Sequence, residues 1–312
     1  MLTVFAALTP IFLAIATGFA LRKSGLLPPE QWRGVELLCY WLLFPALLIV
    51  SLARSRVSFA ELSSYAWGLA FMVVTMTLVT WLLRRPLRAW MKMSGPTYSS
   101  LFQTVTRWNG FIAMAIIDDL YGPRGVAMLA LAFAILIPWL NVVNIAVLAT
   151  CAGKSKPTPR MILMAVARNP LIIGVGLGLA VKLSGLTLPG PIINTLDLIG
   201  RGALGLTLLA LGAGLSWRAV RTAGPEIALS LVLRLIGMPL VAAFSGWLFG
   251  VSGAPLVIMV IATAVPTAVN GYILARAMGG DAEYYAAAVT AQVMASFLTL
   301  PPVIWLAMRM AG

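Results

Sequence analysis

Two stretches of this chain gather residue types that can hold a charged ligand: T-R-W-N-G-F-I at 106–112 and T-A-V-N-G-Y-I at 267–273. Each brings together a hydroxyl (Thr106, Thr267), a carboxamide (Asn109, Asn270) and a glycine (Gly110, Gly271), and the first adds a guanidinium, Arg107. Such groups bind; they do not by themselves make a catalyst. The chain has no His, which excludes a His-dependent zinc site or serine dyad. M-G-G-D at 278–281 lacks the G-x-G-D spacing of intramembrane aspartyl proteases, and no G-x-x-x-x-G-K-[ST] phosphate loop is present. Cys39 and Cys151 show no metal-ligand spacing. Neither enzyme, cofactor nor metal is expected.

The elements that must carry these residues follow from composition. With 61% hydrophobic and 10% charged residues over 312 positions and a mean hydropathy of +0.98, the chain has too little polar surface for a soluble globule and reads as a polytopic membrane protein. The net charge of +13 is dispersed over short loops, so it suits orientation in a bilayer better than nucleic-acid binding. Apolar runs predict ten spans, near 2–21, 34–52, 63–83, 97–117, 125–150, 161–181, 191–216, 226–249, 254–276 and 284–308. Placing the N-terminus outside leaves thirteen Lys and Arg on the cytoplasmic side and five on the other, which predicts both termini outside the cytoplasm of a cell (inner or plasma) membrane. Residues 151–160 then read as a cytoplasmic linker between halves at 1–150 and 161–312.

Those halves resemble each other. A shift of 160 lays P-I-F-L-A-I-A-T-G-F-A-L-R-K-S-G-L-L-P-P (10–29) on P-L-I-I-G-V-G-L-G-L-A-V-K-L-S-G-L-T-L-P (170–189), with Pro10, Gly18, Ser24, Gly25 and Pro29 meeting identical residues. A shift of 161 aligns Thr106, Asn109, Gly110 and Ile112 with Thr267, Asn270, Gly271 and Ile273. Five spans is an odd number, so the second copy enters the bilayer from the opposite side, an inverted repeat. Asn and Gly in mid-span then predict that spans four and nine are discontinuous, with half-helices starting at Gly110 and Gly271 that aim their positive ends at the centre. Pro266 reads as shaping the second break.

R-N-P-L-I-I-G-V-G-L-G-L-A (168–180), L-D-L-I-G-R-G-A-L-G-L-T-L-L-A-L-G-A-G-L (196–215) and V-P-T-A-V-N-G-Y-I-L-A-R-A-M-G-G-D-A-E (265–283) resemble the auxin efflux carrier family, and the chain looks like a bacterial, malonate-carrier-like member. The resemblance implies an all-α fold of ten helices in a 5+5 inverted repeat with crossed broken helices four and nine. It also implies secondary transport of small organic anions. The plant members carry a long loop between the halves where this chain has about ten residues.

Other residues keep two readings. Asn109 and Asn270 either bind a ligand or join helices. Arg107 either clamps a carboxylate or pairs with Asp118 or Asp119. Asp197 and Arg201, four apart, form an internal ion pair or take part in coupling, and Glu36 aligns with Asp197 under the 161 shift. Arg168 and Arg234 are expected to snorkel to the cytoplasmic interface. Trp41, Trp67, Trp81, Trp90 and Trp247 read as interface or packing residues. The expected partners are an organic anion and the lipid bilayer, with a homodimer left open. An ion or proton antiporter, or a channel, of similar build is the competing function.

Overall fold

The computed structural model describes residues 2–54, 59–153, 158–216 and 224–312, and among these the secondary structure is helical throughout. That is the economical solution for an apolar chain, because a helix satisfies its backbone polar groups within one segment. Seven helical stretches are long and apolar enough to cross a membrane, and two further apolar helices, Pro170–Ser184 and Gly253–Ala264, are shorter. Of the expected linker, residues 154–157 lie outside the described residues. The helix before them ends at Ala152 and the next begins at Pro159.

Several expected spans are interrupted, each for a local reason. The run at 161–181 divides into Pro159–Ala167 and Pro170–Ser184. There Asn169 turns its Oδ1 onto the N–H groups of Leu171 and Ile172 at 3.0 and 3.4 Å, and Pro170 fills the first helical position. The stretch Gly95–Ala152 is 58 residues long, and the chain bends inside it at Gly122 (φ 58°, ψ −154°), just before Pro123. Two other spans continue through a π turn, Cys39–Leu43 and Leu233–Gly237. Each is followed by a proline, Pro45 or Pro239, at the start of the next helix. Proline lacks the N–H that would close an α turn, and widening the preceding turn accommodates the loss.

The helices Leu2–Ser24 and Ala203–Gly214 pack closely along each other, as do Phe44–Ala53 and Pro170–Ser184. A Cβ on Gly18 would overlap the Leu209 carbonyl, and one on Gly178 would press on Leu52 and on Ile49. Gly18 with Leu209 and Gly178 with Ile49 are the same pair of positions exchanged under the shift of 160. The helix ends match as well. Gly25 and Gly185 both hold left-handed φ values of 74° and 66°. Before them, the Ser24 and Ser184 hydroxyls donate to the carbonyls of Leu21 and Val181, and each accepts from the backbone N–H two residues on, at 3.4 Å.

The deepest core is made by the interrupted helices. Residues 98–106, 112–117 and 256–267 are continuously buried. Trp41, Trp67, Trp90 and Trp247 are by contrast exposed, as interface or lipid-facing residues would be.

Candidate functional site at two crossing helix breaks

Helix Gly95–Thr106 stops at Arg107, whose backbone is extended (φ −70°, ψ 151°), and a new helix starts at Gly110. Gly253–Ala264 stops at Val265 (φ −67°, ψ 153°), and Gly271–Met278 starts after Asn270. The two breaks touch. The Asn109 N–H donates to the Pro266 carbonyl at 2.7 Å.

Each break leaves helix-terminal carbonyls without intrahelical partners, and buried here they need donors from the protein. Arg234 supplies them. It is fully buried, and its Nε donates to the Val265 carbonyl at 2.9 Å, Nη1 to Val105 at 3.1 Å and Nη2 to Ala262 at 3.4 Å. One guanidinium therefore joins the carbonyl ends of both half-helices, where the helix dipoles are negative. The expectation that Arg234 snorkels to the interface is wrong: three convergent carbonyls hold it in the core. It stands in the π turn Leu233–Gly237.

Gln292, on Ala282–Ala311, makes a second strap. Its Oε1 accepts from the Thr267 N–H at 2.8 Å, while its Nε2 donates to the Thr104 carbonyl at 3.1 Å and to Ser230 Oγ at 2.7 Å. Tyr285 donates to the Ala268 carbonyl at 2.6 Å and lies 3.1 Å from the Thr267 hydroxyl. Thr106, on the other side, donates to the Phe102 carbonyl at 2.8 Å.

The paired asparagines differ. Asn109 is buried and its Oδ1 accepts from the N–H groups of Phe111 and Ile112, both at 3.2 Å, so it caps the helix it precedes. Two donors expected to stand open at that helix start are thus occupied. Asn270 is exposed and makes no cap bond. Both glycines are required sterically: a Cβ on Gly110 would strike the Phe133 ring, and one on Gly271 the Tyr285 ring.

Arg107 makes no ion pair with Asp118 or Asp119 among the described residues; its Nη2 reaches Asn141 Oδ1 at 3.4 Å. Its Nε is buried without a hydrogen-bond partner, as are both amide atoms of the fully buried Gln103, one turn earlier on the same helix. Beside the first break, Thr106, Trp108, Arg234 and Thr263 line a void of only about 10 Å³.

This arrangement, with membrane-length helices around two broken ones, accords with what the sequence matches. Residues 3–157 and 154–304 match the family described as membrane transport protein. The chain belongs to that family, which takes in the auxin efflux carriers. Its relatives include the uncharacterised transporter YfdV of Escherichia coli K12 and the protein of the same name from Shigella flexneri. Each is 26% identical over 198 residues, 62% of this chain and 62% of the relative, so the match spans less than two thirds of either protein.

For a membrane transport protein, the residues worth following are those that the fold does and does not bring to the breaks. Thr106, Arg107, Asn109, Gly110, Pro266, Thr267, Asn270 and Gly271 all belong to them. Asp197 bonds Arg201 at 2.7 Å and lies 3.6 Å from Arg54, a solvent-accessible ion-pair cluster. Glu36 is on Pro29–Leu38, which packs against Ala203–Gly214. Arg234, Gln292, Gln103 and Tyr285 escaped the motif reading because none has a counterpart in the other half. For Arg234, Gln292 and Gln103 the signal was simpler, a charge or carboxamide within an apolar run.

Proposed function

We propose that this chain is a secondary transporter of small organic anions, working by alternating access, with the anion held where the two breaks cross. The carrying observation is the Asn109–Pro266 contact at 2.7 Å, which joins the two breaks at one point. Helix starts at Gly110 and Gly271 bring partial positive charge there. Arg107 adds a full one, and the unpartnered Nε2 of Gln103 and Nε of Arg107 are donors that a carboxylate would satisfy. The void of about 10 Å³ beside Thr106 and Trp108 has room for about one water; on this reading an acid is admitted by movement of the breaks, as alternating access demands.

The proposal includes ten passes in two inverted five-helix halves, 1–150 and 161–312, joined by a cytoplasmic linker, with both termini outside. Counting Gly95–Ala152 as two passes, about its bend at Gly122, brings the seven long and two shorter apolar stretches to ten. The exchanged packing of Gly18 on Leu209 and Gly178 on Ile49 supports the repeat. On this reading the protein does no catalysis and is not itself coupled to ATP. The test is uptake of radiolabelled mono- and dicarboxylates into liposomes. Saturable uptake accelerated by unlabelled acid inside supports a carrier, whereas non-saturable flux without counter-flow would make it a channel.

A further inference from the structure

After the turn at Leu83, the chain forms the short helix Arg84–Trp90 and then turns again at Lys92. Leu87 is buried and anchors that helix, while Trp90 and Leu82 are 80% and 73% exposed. Lys92 holds φ 51°, a left-handed value that a residue with a side chain rarely adopts. The turn brings Lys92 to the same shallow, solvent-open hollow as Arg84, Arg85 and Arg88, which Ala89 and Met93 also line.

Four cations share one hollow, and among the described residues none of them pairs with an acid. Arg88 Nε reaches the Met93 carbonyl at 3.4 Å, and the Arg84 guanidinium lies over the Trp81 ring at 4.8 Å. Asp281, an acid joined to the helix that starts just after Lys92, is engaged elsewhere: it accepts from Thr97 Oγ1 at 3.0 Å and from the Tyr284 N–H at 2.9 Å. Like charges held together call for an anion. The exposed indole of Trp90 and the exposed Leu82 suit a position where apolar and polar phases of the bilayer meet. Guanidinium groups match phosphate oxygens in geometry.

We propose that this hollow binds the phosphodiester headgroup of an anionic phospholipid, with Arg85, Arg88 and Lys92 on the phosphate and Trp90 against the upper acyl chains. The site is separate from the breaks and does not depend on the transport reading. The test is a titration of the purified full chain in neutral detergent with cardiolipin, phosphatidylglycerol, phosphatidylcholine or inorganic phosphate, read by thermal shift and by native mass spectrometry. Cardiolipin and phosphatidylglycerol should stabilise the protein and remain bound, phosphatidylcholine should not, and added salt should weaken the effect. In the triple variant Arg85→Gln/Arg88→Gln/Lys92→Gln the apparent affinity should fall about tenfold to a hundredfold. Should that variant not fold, Lys92→Gln alone must weaken the shift while Arg276→Gln leaves it unchanged. An equal shift from inorganic phosphate alone would mean a free-anion site. Undiminished lipid retention in the altered proteins would place the lipid elsewhere. Either result overturns the proposal.

Discussion

Asn109 and Asn270 occupy matched places in the sequence and unmatched places in the structure. The first caps its own half-helix with its Oδ1; the second is exposed and caps nothing. Their replacements should therefore differ in stability and agree in binding. Asn109→Ala should destabilise the protein by about 1 kcal/mol through the lost cap, and Asn270→Ala should leave the melting temperature nearly unchanged. Both should weaken anion binding. Melting curves of the two purified variants check the first contrast, and equal melting temperatures would contradict it. Arg234 gives a second residue-scale prediction. Arg234→Met removes the donors from three buried carbonyls and should lower stability by about 2–4 kcal/mol. An unchanged melt would mean that those carbonyls find other donors. A basic residue in L-V-L-R-L-I-G was visible in the sequence as an oddity, but its role was not, because its acceptors lie up to 129 residues away.

At the scale of elements, the two N-G breaks were legible because Asn and Gly contradict an apolar helix, and the repetition at a fixed shift made an accident implausible. The interruption at Asn169–Pro170 was equally written in the chain, as a capping residue followed by proline. It was overlooked because a run of apolar residues at 161–181 satisfies the length criterion for a span by itself. The π turns were not legible. They arise from how the helix before Pro45 or Pro239 absorbs a missing N–H, which hydropathy does not register. What the breaks do structurally leads to a prediction for the two glycines. Gly110→Leu and Gly271→Leu should each abolish transport with the protein still inserted in the membrane, since a side chain at these points meets Phe133 or Tyr285 and favours continuing the helix. Transport assays beside membrane-fraction blots read this directly, and normal transport by either variant would remove that half from the crossing.

For the whole molecule, the asymmetry of Lys and Arg predicts an orientation. Cysteines introduced by Ser155→Cys and Gly312→Cys, in a background lacking Cys39 and Cys151, should react oppositely with an impermeant reagent in intact cells. Modification of the first from outside would refute the topology. The orientation matters to the proposal, in which two inverted halves would let one central site be approached from either side in turn. The central claim, that a small organic anion binds where the breaks cross, is tested most directly by a thermal-shift screen of mono- and dicarboxylates on the purified protein and on the Asn109→Ala/Asn270→Ala double variant. A ligand that binds the folded form raises its apparent stability. The account predicts at least one acid that raises the wild-type melting temperature with concentration and fails to do so in the double variant. An acid that shifts both proteins equally, or a panel in which no acid shifts the wild type, would contradict it.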